Sequence, residues 1–191
     1  MFEAFAVSAG AVAVSEIGDK TQLLALVLAA RFRRPWPIVA GIFVATLANH
    51  AAAAALGGWL QTLLDATTLR WLLGASFLAV AAWMLVPDAA DAGAADAPVA
   101  RGLGIFGVTV VAFFFAEMGD KTQIATVMLA ARYGSLVAVT AGTTLGMMLA
   151  NVPAVLLGER ALRVMPLQWV HRIAAALFAL LGVLALAGVG V

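Results

Sequence analysis

Cysteine is absent from this chain of 191 residues. That removes disulfides, thiolate metal sites and cysteine nucleophiles at once. Charge is scarce: Asp, Glu, Lys and Arg make up 11% of the residues, against about 25% in a typical soluble domain. Long basic runs are missing too, and a net charge of +1 offers nucleic acid no binding surface. A cleavable leader would begin with Lys or Arg. The opening "MFEAFAVSAG" holds Glu3 and neither basic residue, so it reads as the start of a first membrane span.

What is abundant is apolar surface. Hydrophobic residues form 64% of the chain, well above the about 45–50% of soluble domains. A bilayer core takes about 20 apolar residues per helix. Six stretches qualify: Ala4–Ala30, Trp36–Leu60, Leu69–Val86, Gly102–Ala131, Leu136–Leu157 and Leu167–Val189. The strands of a membrane barrel alternate apolar and polar residues, and runs such as "LLALVLAA" and "ALFALLGVLALAG" do not. The expected fold is an all-α integral membrane protein with six transmembrane helices.

Between the third and fourth spans lies "PDAADAGAADAPVAR", residues 87–101, small and acidic in composition and expected to be a solvated linker. Basic residues set the orientation. Arg31, Arg33, Arg34, Arg101, Arg160, Arg163 and Arg172 fall on one side, and only Arg70 and Arg132 on the other. Both termini are therefore expected outside, with the linker in the cytoplasm.

The chain also repeats itself. "EIGDKTQ" at Glu16–Gln22 returns as "EMGDKTQ" at Glu117–Gln123, 101 positions later. At the same offset "AARF" at Ala29 matches "AARY" at Ala130, Gly41 matches Gly142, Leu56-Gly57 matches Leu157-Gly158, and Phe77 matches Phe178. Asn49 and Asn151 correspond with one residue of slippage. Each copy holds three spans, an odd number, so the second must enter the membrane from the opposite side. Two inverted three-helix repeats follow, residues 1–86 and 102–191, an architecture shared by many secondary transporters.

Both motifs fall where charge is costly. Glu16 lies 12–14 residues from either end of its span, near the bilayer centre. Each ionisable group there costs roughly 2.5–3.5 kcal/mol on insertion scales, so the six charges must face one another, water or an ion. On a continuous helix Glu16, Asp19 and Lys20 share one broad face, as do Glu117, Asp120 and Lys121. Gly18 and Gly119 weaken the helix here, and a local unwinding would free carbonyl oxygens as ligands. Four carboxylates and two ammonium groups leave a net −2, the complement of one divalent cation. The carboxylates, with the amides of Gln22 and Gln123, are hard oxygen donors suited to Ca²⁺, Mg²⁺ or Mn²⁺. Buried like charges resist full ionisation, so an empty site takes up protons and cation–proton exchange follows. Thr46, Asn49 and His50 in the second span, and Thr143, Thr144 and Asn151 in the fifth, either complete the coordination shell or hydrogen-bond between helices. His50 has no counterpart, Val152 standing in its place, and reads as a histidine satisfied by its neighbours. Gly142 and Gly146 form a GxxxG pair expected to pack closely, and Pro153 is expected to kink the fifth span.

Two copies of Glu-φ-Gly-Asp-Lys/Arg-Thr/Ser, each in the first helix of a three-helix half, resemble the signature of the GDT-one family. That family comprises Golgi Ca²⁺/Mn²⁺:H⁺ antiporters and bacterial manganese exporters within the lysine-exporter superfamily. The resemblance covers essentially the whole chain. It implies that Glu16, Asp19, Glu117 and Asp120 ligate the cation, with Lys20, Thr21, Lys121 and Thr122 as the remaining motif positions. Mn²⁺ or Ca²⁺ would be transported substrate, with no permanent cofactor, and the compact form fits a bacterial cytoplasmic membrane. Monomer and homodimer stay equally open. Export of small organic solutes such as amino acids is the alternative within the superfamily, although clustered carboxylates favour metal. An intramembrane aspartyl hydrolase built on Asp19 and Asp120 is disfavoured, because Glu16 stands where that motif has glycine.

Overall fold

A computed structural model of the chain describes residues 1–86, 104–158 and 167–189. The acidic linker expected at 87–101, including Arg101, lies outside the described residues, as do Arg160 and Arg163. The described residues form eight α-helices and no strand: α1 (Phe2–Glu16), α2 (Lys20–Phe32), α3 (Pro35–Leu63), α4 (Ala66–Met84), α5 (Gly104–Glu117), α6 (Lys121–Tyr133), α7 (Leu136–Leu157) and α8 (Leu167–Leu186). Four of them, α3, α4, α7 and α8, are long and apolar enough to cross a membrane, and α5 is a shorter apolar helix.

The first and fourth expected spans are not single helices. Each breaks inside its motif, so Glu16 closes α1 while Lys20 opens α2, and Glu117 closes α5 while Lys121 opens α6. The cause is local. Gly18 and Gly119 take φ of 84° and 77°, a region that costs a side-chain-bearing L-residue about 1–2 kcal/mol. Asp19 and Asp120 follow in extended conformation, with ψ of 165° and 162°, at the N-cap positions of α2 and α6. The common face expected for Glu16, Asp19 and Lys20 on one helix therefore gives way to a turn that projects them from two helix ends. Beyond the breaks the copies continue to match. Arg33 ends α2 with φ 53°, and Gly134, its counterpart, ends α6 with φ 60°.

Helices in lipid associate through close packing, since lipid tails are as apolar as leucine. Gly142 and Gly146 accordingly lie against the backbone of α1: a Cβ at either would come within 2.6 Å of Phe5 O or Ala9 O. Gly41, the counterpart of Gly142, stands equally tight against Thr109 of α5. The pairings are reciprocal, with α1 on α7, α5 on α3, and α4 on α8. Phe77 and Phe178, matching positions of the two copies, stack with ring centroids 6.2 Å apart. Pro153 sits inside α7, which runs through it as one helix.

The distribution of polarity is that of a protein solvated by lipid. Large apolar side chains such as Phe43, Phe115, Leu149 and Val183 face outward, whereas both motifs are largely buried. Trp36, Trp59, Trp71 and Trp169, near helix ends, are exposed, as interfacial tryptophans are. The chain is a membrane protein.

Candidate cation site

The two breaks face each other in the interior, tied by crossed ion pairs. Lys121 Nζ lies 2.6 Å from Asp19 Oδ1, and Lys20 Nζ lies 3.5 Å from Asp120 Oδ1. Each lysine thus engages the aspartate of the other motif. The pairs are alike in connection but not in setting: the Lys121–Asp19 side chains are at most 2% exposed, while Lys20 is 30% exposed. Helix ends reinforce the arrangement, because the positive N-termini of α2 and α6 begin at the aspartates.

Glu16, Asp19 and Asp120 converge. One ligand atom from each lies within 4.8 Å of the others, and all three residues are buried. Glu16 Oε2 accepts a 2.6 Å hydrogen bond from the Thr21 hydroxyl, while Oε1 has no hydrogen-bond partner among the described residues. Glu117, the fourth expected ligand, is equally buried but is not part of that three-carboxylate group. Thr122 stands between the two, its hydroxyl 3.5 Å from both Glu117 Oε2 and Asp120 Oδ2. Glu117 Oε1 also lacks a hydrogen-bond partner among the described residues. A buried carboxylate oxygen left unsatisfied is expensive. Hard oxygen donors clustered without full hydrogen bonding are what a divalent cation would satisfy.

Several expected donors do other work. The Gln22 side-chain oxygen accepts from Gly18 N–H at 2.8 Å, and that of Gln123 accepts from Gly119 N–H at 2.7 Å. These amides satisfy backbone that the break would otherwise leave bare. Gln22 also donates from Nε2 to Ala150 O of α7, which fixes the break against the neighbouring helix. Asn49 donates to Phe114 O, cross-linking α3 to α5. Asn151 donates within its own helix to Met147 O, while its Oδ1 finds no hydrogen-bond partner among the described residues.

His50 departs from expectation. It is fully buried, and neither ring nitrogen has a hydrogen-bond partner among the described residues. Its Nε2 lies 3.8 Å from Glu117 Oε2. A lone histidine in an apolar span is usually satisfied by its neighbours, and this one is not, among the described residues. The overlooked signal was its place, midway along an apolar span and directly after Asn49.

Paired broken helices enclosing buried carboxylates and lysines, in a bundle with a lipid-facing exterior, define a membrane protein with a charged interior site. Comparison with known proteins gives the family. The profile of the family described as divalent cation/proton antiporter GDT1 matches residues 4–92 and 105–189. A Vibrio cholerae serotype O1 protein, named as a candidate manganese exporter, is 50% identical over 177 residues, covering 92% of this chain and 86% of its own. A GDT1-like protein of Synechocystis is 34% identical over 177 residues, covering 83% and 84%. No solved structure matches the chain. The chain belongs to the GDT1 family of divalent cation/proton antiporters. It is a transporter, not an enzyme, and the hydrolase reading is set aside.

Proposed function

We propose that this protein exports Mn²⁺, with Ca²⁺ as second substrate, in exchange for inward protons, through a site built from the two motifs. The convergence of Glu16, Asp19 and Asp120 carries this reading, with Glu117 joining them across Thr122. The cation and protons compete for the same carboxylates, since only one of them can neutralise the buried net charge at a time. When both have left, Lys20 and Lys121 hold the site together through the crossed pairs.

The architecture that serves this exchange is six membrane crossings in two inverted repeats, 1–86 and 102–191. A helix rises about 1.5 Å per residue and the bilayer core is about 30 Å thick, so neither half of a broken helix crosses alone. α1 with α2, and α5 with α6, each cross together and place their breaks near the midplane. The reciprocal packing and the Phe77–Phe178 stack support the repeat relation. Rocking of one half against the other would then open the site to alternate sides. Excess arginine on one side puts both termini outside, in a bacterial cytoplasmic membrane.

The test is transport by purified protein in proteoliposomes under an imposed pH gradient, with dyes reporting internal Mn²⁺ and pH. Coupled movement of Mn²⁺ and protons is expected, abolished by Glu16→Gln and by Glu117→Gln while both variants stay folded. Wild-type flux in both variants would remove the site assignment. Amino-acid export without metal flux would favour the organic-solute alternative.

A further inference from the structure

The His50–Glu117 pair includes a histidine that the proposed exchange does not employ. It lies beside the three-carboxylate group, joined to it by Thr122, which touches both Glu117 and Asp120. Histidine occurs here in one copy only, so the site is chemically lopsided: Val152 stands at the matching place on α7. Both ring nitrogens are buried without a hydrogen-bond partner among the described residues, and so are Glu117 Oε1 and Glu16 Oε1. A polar group buried without a partner destabilises the fold, and an unmatched imidazole facing a carboxylate calls for a ligand. The 3.8 Å between His50 Nε2 and Glu117 Oε2 is too long for a hydrogen bond. It is shorter than two metal–ligand bonds of about 2.0–2.6 Å laid end to end, so one ion can reach both atoms.

We propose that His50 is a specificity residue of the site, its Nε2 joining the motif oxygens around the ion and favouring divalent d-block cations over Ca²⁺ and Mg²⁺. This rests on the motif site proposed above. Ca²⁺ and Mg²⁺ take oxygen ligands almost exclusively. Mn²⁺ is also well served by oxygen but, as a d-block ion, accepts an imidazole nitrogen that they do not favour, and later first-row ions gain from it still more. An all-oxygen cluster would leave the choice to cavity size, ligand number and rigidity. One nitrogen among the oxygens gives the site a chemical preference without altering its charge balance, because neutral imidazole adds a donor and no charge. Replacing His50 by valine would make the two halves alike and the shell all-oxygen.

The test combines affinity with spectroscopy. In purified wild type, pulsed EPR of bound Mn²⁺ should show coupling to histidine nitrogen, changed by ¹⁵N-histidine labelling and lost in His50→Val. The signal should persist in His171→Gln, which removes the other histidine. Mn²⁺ affinity should fall about 10-fold or more in His50→Val, while Ca²⁺ affinity changes less than about 2-fold. Wild type that binds Mn²⁺ with no nitrogen coupling overturns the His50 assignment and leaves the antiporter reading standing. So does an equal loss of Mn²⁺ and Ca²⁺ affinity. Wild type that binds no Mn²⁺ overturns both. The wild-type spectrum needs no variant, so poor folding of His50→Val does not remove the test.

Discussion

Replacing Lys121 with methionine should cost much more stability than the same change at Lys20, although the two residues hold matching places in the motifs. Lys121 Nζ sits 2.6 Å from Asp19 Oδ1, and both side chains are at most 2% exposed. Removing it breaks a buried ion pair at the Asp19 carboxylate, which typically costs about 3–5 kcal/mol. Lys20 is 30% exposed and 3.5 Å from its aspartate. Solvent screening there brings the pair toward the about 0–1 kcal/mol of exposed bridges, with the burial of Asp120 keeping it at the upper end. The assay is thermal unfolding in detergent without divalent cations, followed by the fluorescence of the five tryptophans. Asp19→Asn added to Lys121→Met should recover part of the loss, because it removes the buried charge that Lys121 offset. Equal losses at the two lysines, or a double variant no more stable than Lys121→Met, would refute the charge argument.

Other consequences are local. Gly18→Ala should cost about 1–2 kcal/mol through its positive φ, and should slow Mn²⁺ flux in the same vesicles because it disturbs the break. Arg33→Gly should raise stability by up to about 1 kcal/mol, since Arg33 holds the left-handed conformation that glycine takes at position 134; a lower melting temperature would contradict this. Asp65 caps α4, accepting from the Thr68 hydroxyl at 2.6 Å and from the N–H groups of Thr67 and Thr68 at 3.0 Å. These bonds, that from the Thr68 side chain foremost, hold its carboxyl below its usual value. A group lowered on folding stabilises above its unfolded-state titration and loses that contribution as pH falls through the folded one. Melting temperature should therefore fall less steeply on acidification in Asp65→Asn than in wild type.

Much of this was legible in the sequence, for identifiable reasons. Charges at the centre of apolar spans stand out because insertion penalises them, so Glu16, Asp19, Glu117 and Asp120 are conspicuous in composition and spacing. Small residues at Gly142 and Gly146 announce a close helix contact, while its partner, α1, is set by the fold. The break was legible only as an option. Alanine and leucine on both flanks favour helix, and Gly18 and Gly119 permit the positive φ they take without dictating it. By composition the glutamines suit an ion, whereas their use at Gly18 and Gly119 follows from a break that exists only in the fold. The crossed pairing of lysines with the opposite aspartates depends on how the halves meet. So does the approach of His50 on α3 to Glu117 on α5, which no local pattern records.

The central claim is that one divalent cation and protons compete for the motif carboxylates. It is tested most directly by titrating Mn²⁺ into purified protein in weakly buffered detergent while counting the protons released. Saturation near one Mn²⁺ per chain is predicted, with matching proton release that disappears in Glu16→Gln. Saturable Mn²⁺ binding that releases no protons, or that survives unchanged in Glu16→Gln, would contradict it.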